Sequence, residues 1–86
     1  MGFLLRTNSR GPQVKKLQLA LNFLEASSRP LQVDGIFGPK TRAATITFQT
    51  KAKLTADGLA GAKTANALAK ITLLSITKRK NMLNPQ

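Results

Sequence analysis

Few side chains in this chain of 86 residues are of a type that performs acid–base or metal chemistry. The chain contains no histidine and no cysteine, which removes the commonest general base, the commonest metal ligand and any thiolate nucleophile. The three carboxylates are Glu25, Asp34 and Asp57. Each aspartate precedes a glycine, and such a pair is typical of turns in which the carboxylate accepts backbone N–H groups. We therefore expect structural roles for both aspartates, and we predict a protein without enzymatic activity, metal site or cofactor.

The charge of the chain is strongly one-sided. Fourteen lysines and arginines stand against three acidic residues, which gives a formal net charge of +11. This excess predicts an anionic partner, for which nucleic acid, an acidic membrane surface and the anionic polymers of a bacterial envelope all qualify; solubility alone is the alternative explanation. No apolar stretch approaches the roughly twenty residues that span a bilayer, and the first ten residues lack a signal-peptide pattern. We expect no membrane partner and no export signal in this chain.

Both aspartates lie in a segment that occurs twice, VDGIFGPKT at 33–41 and ADGLAGAKT at 56–64. Because the Asp-Gly pair reverses the chain, each copy is expected to return the backbone to the core and to lead into the next element. Ile36 and Leu59 follow the turn glycine in the two copies. We expect both side chains to point into the core.

Each copy also contains a helix start. Gly38 is followed by Pro39, and proline at the first helical position loses no hydrogen bond while its fixed φ suits a helix. GAKT at 61–64 is the same start with alanine in place of proline, and GPQV at 11–14 is a third version. The sequence therefore marks three helix beginnings.

The residues after the first start follow helical spacing. Apolar side chains recur there at steps of three and four, which is one face of an α-helix: Val14, Leu17, Leu21 and Leu24. Shorter apolar stripes follow the other two starts. We predict helices over about 12–26 and 39–52 and a third from about 62. Together with the short length, this predicts an all-α fold, a small three-helix bundle with two Asp-Gly turn and helix-start repeats.

The order RGPQVKKLQLALN, VDGIFGPKTRAATITFQ and LTADGLAGAKTANAL resembles the peptidoglycan-binding domain family, a small three-helix module attached to many bacterial and phage cell-wall hydrolases. The resemblance covers residues 9–69. Two positions depart from the family pattern: Thr45 stands where valine is usual, and Ala60 is the second copy's counterpart of Phe37. The resemblance also assigns core positions, namely Val14, Leu17, Leu21, Ile36, Phe48 and Leu59.

The resemblance implies a function as well as a fold. It implies non-catalytic binding of bacterial cell-wall peptidoglycan, through the glycan strand or the stem peptide, and targeting of a cell-wall hydrolase to murein. A linked catalytic hydrolase domain is then a further expected partner. The protein is expected to act at the bacterial cell wall, in the periplasm or at the cell surface, by an export route that the sequence leaves open.

The expected ligand contacts lie near the two turns and on the helices that precede them. The chain has no tryptophan or tyrosine, so stacking on a sugar ring rests on a partly exposed Phe37. Lysines are expected to face carboxylates of the stem peptide. The predicted ligand-binding residues are Gln18, Asn22, Asp34, Phe37, Lys40, Gln49 and Asp57. Structural alternatives stay open, because a glutamine can cap a loop and Phe37 can be core packing.

Nucleic-acid binding is the alternative function, since three short helices with a large positive charge could form a helix-turn-helix unit. It is disfavoured because the third helix offers only Lys63, Lys70 and Asn66 for recognition, so nucleic acid is an unlikely partner. We divide the chain into a peptidoglycan-binding-like domain at 1–72 and a basic C-terminal tail or linker at 73–86. A linker or disorder is favoured over an envelope-binding role for the tail.

Overall fold

A computed structural model describes residues 4–24 and 29–83, with side chains in the last helix up to position 74. Over these residues the chain forms three α-helices and no β-strand: α1 (Pro12–Phe23), α2 (Pro39–Lys51) and α3 (Ala62–Leu83). α1 packs against both α2 and α3. The predicted all-α class and three-helix architecture are confirmed.

The helix starts lie where the sequence placed them. Pro12 and Pro39 each occupy the first helical position after a glycine, and the N–H of Arg42 donates to the carbonyl of Gly38 at 3.0 Å. α3 begins in the same way, because the N–H of Ala65 donates to the carbonyl that precedes the helix at 2.9 Å. α1 and α2 begin without a side-chain cap, and the proline of each removes one of the N–H groups that a cap would serve.

The helix ends differ from the predicted ends. α1 ends at Phe23 rather than near 26, and α2 ends at Lys51, one residue early. α3 stays helical to Leu83, so its backbone continues past position 72, where we placed the domain boundary. The role of residues 73–86 as a linker or tail stays a prediction. No helix among the described residues is long and apolar enough to cross a membrane.

The core contains four of the predicted apolar positions, which are Val14, Leu17, Leu21 and Phe48. The prediction for Ile36 and Leu59 is wrong, because each side chain is 40% exposed. The buried residue is the next one in each turn, Phe37 in the first copy and Ala60 in the second. The reason is local: the aspartate carboxylate accepts the N–H of the residue two positions on and holds it at the outer side of the turn, so that the following side chain points inward.

Thr45 is fully buried, and it satisfies its hydroxyl within its own helix. Its Oγ1 donates to the carbonyl oxygen of Thr41 at 2.8 Å. The polar atom that replaces the family's usual valine methyl is therefore hydrogen-bonded, which limits the free energy that its burial costs.

A short segment before α1, residues 5–9, connects the two Asp-Gly turns. Leu5 pairs with Ala60 in both directions, with N···O distances of 3.0 and 2.8 Å. Three residues later the N–H of Asn8 donates to the carbonyl of Phe37 at 2.9 Å, and the N–H of Phe37 donates to Ser9 at 2.9 Å. Both turns are thus hydrogen-bonded to one N-terminal segment, which links them to each other.

An apolar groove of about 490 Å³ runs between α1 and α3. Leu17 of α1 and Leu68 of α3 line it, together with Leu5 and Ala60. Thr72 also lines the groove, and its hydroxyl oxygen is buried without a hydrogen-bond partner. The groove lies where Ala60 replaces the aromatic side chain that the first turn has at the equivalent position.

Candidate functional site

The first Asp-Gly turn is held by one buried amide. Gln18 on α1 is 1% exposed, and its Nε2 lies 3.1 Å from Asp34 Oδ1, 3.0 Å from the carbonyl oxygen of Ile36 and 3.1 Å from Thr41 Oγ1. Its Oε1 accepts the N–H of Gly35 at 3.0 Å. One side chain from α1 therefore closes the turn and the start of α2 together.

The second turn has the same network, built from α2. Gln49 is also 1% exposed, and its Nε2 lies 3.2 Å from Asp57 Oδ1, 3.0 Å from the carbonyl oxygen of Leu59 and 3.0 Å from Thr64 Oγ1. Its Oε1 accepts the N–H of Gly58 at 3.0 Å. Every partner has its counterpart in the first turn.

These networks use both donor hydrogens of each glutamine amide. An NH₂ group has two hydrogens and here faces three oxygens, so one hydrogen is shared, and no donor remains for a ligand. The reverse amide orientation is excluded, because it would turn the carbonyl oxygen toward a carboxylate and a second carbonyl. The prediction of ligand contacts for Gln18 and Gln49 is therefore wrong: they are buried, and they cap the turns, which is the structural alternative.

Asn22 and Phe37 also have structural roles. The Nδ2 of Asn22 donates to the carbonyl of Leu31 at 2.9 Å, and its Oδ1 accepts the N–H of Leu31 at 2.7 Å, so its amide holds the chain that enters the first turn. Phe37 is 0% exposed. The expected partial exposure of this ring is wrong, and a buried ring cannot stack on a sugar. The error has the same cause as the one at Ile36: the turn points the side chain of Phe37, and not that of Ile36, into the core.

The aspartates are exposed, and each forms the predicted turn. Asp34 Oδ1 accepts the N–H of Ile36 at 2.9 Å, and Asp57 Oδ1 accepts the N–H of Leu59 at 2.9 Å. The N–H of Ile36, followed by the amide of Gln18, holds the pKa of Asp34 below its ordinary value, because both donors stabilise the ionised form. Glu25, the third carboxylate of the sequence, lies outside the described residues.

Both turn glycines are left-handed, and a basic side chain from the preceding helix covers each of them. Gly35 has φ 76° and Gly58 has φ 74°, which glycine adopts without steric cost. The stem of Lys15 lies across Gly35, and the stem and guanidinium of Arg42 lie across Gly58. The repeat therefore extends to the covering side chains.

A cleft lies beside each turn, and here three predicted residues are accessible. The first cleft has a volume of about 370 Å³ and is lined by Leu31, Gln32, Asp34, Gly38, Pro39, Lys40 and Thr41. The second has a volume of about 520 Å³. Its lining residues are Leu4, Gln49, Lys53, Leu54, Thr55, Asp57, Leu59, Gly61, Ala62, Lys63 and Thr64. Asp34, Lys40 and Asp57 are thus exposed at the clefts, whereas the Gln49 side chain that lines the second cleft is buried.

Two lysines of the second cleft, Lys53 and Lys63, are not among the ligand-binding residues predicted from the sequence. Lys63 occupies the position of Lys40 in the repeat, so the repeat itself could have identified it. The residue 23 positions before Lys53 is Pro30, so the repeat does not identify Lys53.

Lys53 stands at a position that favours glycine. After α2 ends, the N–H of Leu54 donates to the carbonyl of Gln49 at 2.8 Å and the N–H of Lys53 donates to Thr50 at 3.2 Å. This is a Schellman motif, in which the residue after the cap is left-handed and usually glycine. Lys53 adopts φ 60° there, and its exposed side chain lines the second cleft. A conformation that is unfavourable for lysine is therefore kept beside the cleft.

The described part of the chain contains no group of three or more histidine, cysteine, aspartate or glutamate side chains that could hold a metal ion. The polar groups that remain accessible in the clefts are lysine ammonium groups and aspartate carboxylates, together with exposed Gln32 and Thr55. Such groups bind a polar ligand by charge and hydrogen bonds, and the exposed leucines at the second cleft add apolar contact area.

Comparison with known proteins identifies the family to which the chain is similar. Residues 10–68 match the family model described as "Putative peptidoglycan binding domain". The chain is 39% identical over 64 residues to the zinc D-Ala-D-Ala carboxypeptidase of Streptomyces albus G, an alignment that covers 74% of this chain and 25% of that protein. It is 33% identical over 84 residues to a protein of Bacillus licheniformis named "Probable N-acetylmuramoyl-L-alanine amidase", covering 98% of this chain and 24% of that protein.

The chain spans about a quarter of the length of these two relatives. No solved structure matches it significantly. The family match includes both Asp-Gly turns, the helix starts that line the two clefts, and most of the core. The chain therefore belongs to the peptidoglycan-binding domain family, a family of cell-wall binding modules.

Proposed function

We propose that this domain binds peptidoglycan without catalysing a reaction and that it holds a cell-wall hydrolase against murein. The family match over residues 10–68 carries this proposal. The two relatives are named as a D-Ala-D-Ala carboxypeptidase and an N-acetylmuramoyl-L-alanine amidase, and this chain corresponds to only a quarter of each. Its two described carboxylates are both hydrogen-bonded within turns, which favours a binding role over a catalytic one.

We place the main contact at the second cleft, which is larger and more varied than the first. Lys53 and Lys63 supply positive charge for the carboxylates of stem peptides, and Asp57 supplies an acceptor for peptide or sugar donors. Leu59 is 40% exposed and Leu4 is 49% exposed at the same cleft, so methyl groups of the ligand have apolar surface to cover. This combination suits a polymer that carries both peptide and sugar.

Lys53 is the observation that favours this location. A left-handed lysine costs on the order of 1 kcal/mol relative to a residue in the right-handed region, and no hydrogen bond of its side chain within the described residues offsets that cost. A glycine there would relieve the strain and leave the Schellman motif intact. The lysine is therefore better explained by its charge in the cleft than by the fold.

The test is co-sedimentation with purified, insoluble peptidoglycan in a salt series up to about 0.5 M, where the Debye length is only a few ångströms. We expect the wild type to stay bound at high salt. Lys53→Gly is expected to lower the affinity about two- to fivefold, the range of an exposed ion pair. The same variant is expected to raise the free energy of unfolding by up to about 1 kcal/mol.

Lys70→Gln is the matched control, because Lys70 is exposed on α3 outside both clefts and its substitution removes the same charge. If Lys53→Gly binds no more weakly than this control, the second cleft is the wrong location. If the wild type is released completely at 0.5 M salt and binds DNA as readily as murein, the attraction is only electrostatic, and peptidoglycan binding as a specific function is contradicted.

A further inference from the structure

We propose that the first cleft is a second binding site for the same ligand, so that one domain holds two carboxylate-bearing segments of peptidoglycan at once. This inference rests on the proposed function, which needs only the second cleft. It assigns a ligand class to a surface that the family match alone does not identify.

The two clefts are copies of each other. Every residue that lines the first cleft has a counterpart 23 positions later that lines the second, as Leu31 has Leu54 and Lys40 has Lys63. The aspartate, the glycine and the threonine of the first cleft are likewise repeated without change in the second. The first cleft is therefore the smaller of two versions of one surface.

The fold explains most of this repetition, but it does not explain the lysine. The aspartate and threonine bond to the buried glutamine in each copy, and the leucine packs against the core. Lys40 and Lys63 are exposed, and neither has a hydrogen bond or an ion pair within the described residues. The nearby exposed positions Ala43 and Asn66, which correspond in the repeat and line neither cleft, differ between the copies. A lysine kept at both clefts without a structural partner indicates a shared ligand, and its charge suits a carboxylate.

The first cleft lacks two features of the second. The counterpart of Lys53 is Pro30, which carries no charge, and Ile36 does not line the first cleft as Leu59 lines the second. With one lysine instead of two and a volume of about 370 Å³ instead of 520 Å³, the first site has fewer contacts to offer. We expect it to bind the same ligand more weakly than the second site.

One short segment of the chain joins the two turns. It bonds to the second turn at Leu5 and to the first turn at Asn8, and the Cα atoms of these two residues are at most about 11 Å apart. Peptidoglycan repeats its stem peptide along the strand, so a polymer held at one cleft carries further carboxylates for the other. The second contact is then intramolecular, and two weak sites give tight retention on the polymer.

The experiment is a heteronuclear NMR titration of the whole chain with a soluble disaccharide-tetrapeptide muropeptide, which is too short to require both sites. We expect amide signals around both turns to shift, with later saturation at the first turn. Lys40→Gln is expected to weaken binding at the first turn about two- to fivefold and to leave the second unchanged. Lys63→Gln is expected to do the reverse, and Lys70→Gln is expected to change neither.

Retention on insoluble peptidoglycan gives the second readout. If both sites bind one polymer, Lys40→Gln and Lys63→Gln each weaken retention, and their effects multiply in the double variant to about four- to twentyfivefold. If only the second turn responds to the muropeptide and Lys40→Gln is retained like Lys70→Gln, the second site is refuted while the proposed function stands. If neither turn responds and the wild type leaves the polymer at high salt, the proposed function itself fails.

Discussion

The two Asp-Gly turns are nearly identical in geometry although their glutamines come from different places in the chain. Gln18 lies 16 residues before its aspartate and belongs to α1, whereas Gln49 lies 8 residues before its aspartate and belongs to α2. Corresponding hydrogen bonds nevertheless differ by no more than 0.1 Å. The same network therefore forms whether the glutamine comes from α1 or from α2.

The turns differ in what surrounds them. The first inserts Phe37 into the core, whereas the second inserts Ala60, which is small enough to leave the apolar groove between α1 and α3 open. The second turn lies beside the larger cleft, which is also lined by Leu4 from the N-terminal segment and by the left-handed Lys53. The first copy thus contributes more to packing and the second offers more surface to a ligand.

Removal of the glutamines is expected to have the largest effect on stability. Gln18→Ala and Gln49→Ala each leave a buried N–H, a carbonyl oxygen and a threonine hydroxyl without their partner and open a cavity, so each is expected to lower the free energy of unfolding by about 3 kcal/mol or more. Urea denaturation measures the loss. Equal losses would confirm that the two networks are energetically equivalent.

Gln13→Ala is the control for this pair, because Gln13 is exposed on α1 and takes part in no network. Its cost is expected to stay within about 0.5 kcal/mol, as at ordinary surface positions. If only one of the two buried glutamines proves costly, the geometrical repeat is not an energetic one. A loss no greater than the control at both positions would contradict the structural role of the amides.

Alanine at the turn glycines gives a smaller and unequal effect. Both glycines are left-handed, so Gly35→Ala and Gly58→Ala are each expected to cost about 1–2 kcal/mol. A new Cβ at Gly35 would meet the backbone oxygen of Gly11 at 3.3 Å, whereas at Gly58 it would meet only atoms of the flexible Arg42 side chain, the closest at 3.1 Å. We expect the larger loss at Gly35, measured by urea denaturation. The opposite order would mean that Arg42 cannot move aside.

The parts of the fold that could be predicted from the sequence are the local ones. Glycine followed by proline acts within one helical turn, and an Asp-Gly pair closes hydrogen bonds over two residues, so Pro39 and Asp34 show their roles without any knowledge of the rest of the chain. Lys40 follows the same helix start and lies at the first cleft, and its contact with a ligand stays a prediction.

The errors concern side chains whose role depends on distant residues. Nothing local distinguishes a surface glutamine from Gln18, because its partners lie 16 to 23 positions away. The direction of Ile36 follows from the turn type, and one residue of error there also reversed the prediction for Phe37. The left-handed backbone of Lys53 could not be predicted either, because a lysine gives no sequence signal for that conformation.

The smallest expected effect is on how the free energy of unfolding depends on pH at acid pH. It tests whether the two turns are also alike electrostatically. The N–H of Ile36 and the amide of Gln18 hold the pKa of Asp34 below its ordinary value of 3.8. The folded state therefore binds this proton more weakly than the unfolded state does. The stabilisation from Asp34 is complete above pH 3.8 and is lost as the pH falls through the lower pKa of the folded state.

Asp34→Asn keeps an oxygen that can accept both hydrogen bonds but removes the charge, so its unfolding free energy is expected to depend less on pH than that of the wild type between about pH 5 and pH 2. Urea midpoints measured across this range compare the two proteins. Asp57→Asn, measured alongside, shows whether the second turn has the same sensitivity to acid. If Asp34→Asn loses stability with acid as steeply as the wild type, the carboxylate of the first turn acts only as a hydrogen-bond acceptor, and its charge contributes nothing to the fold.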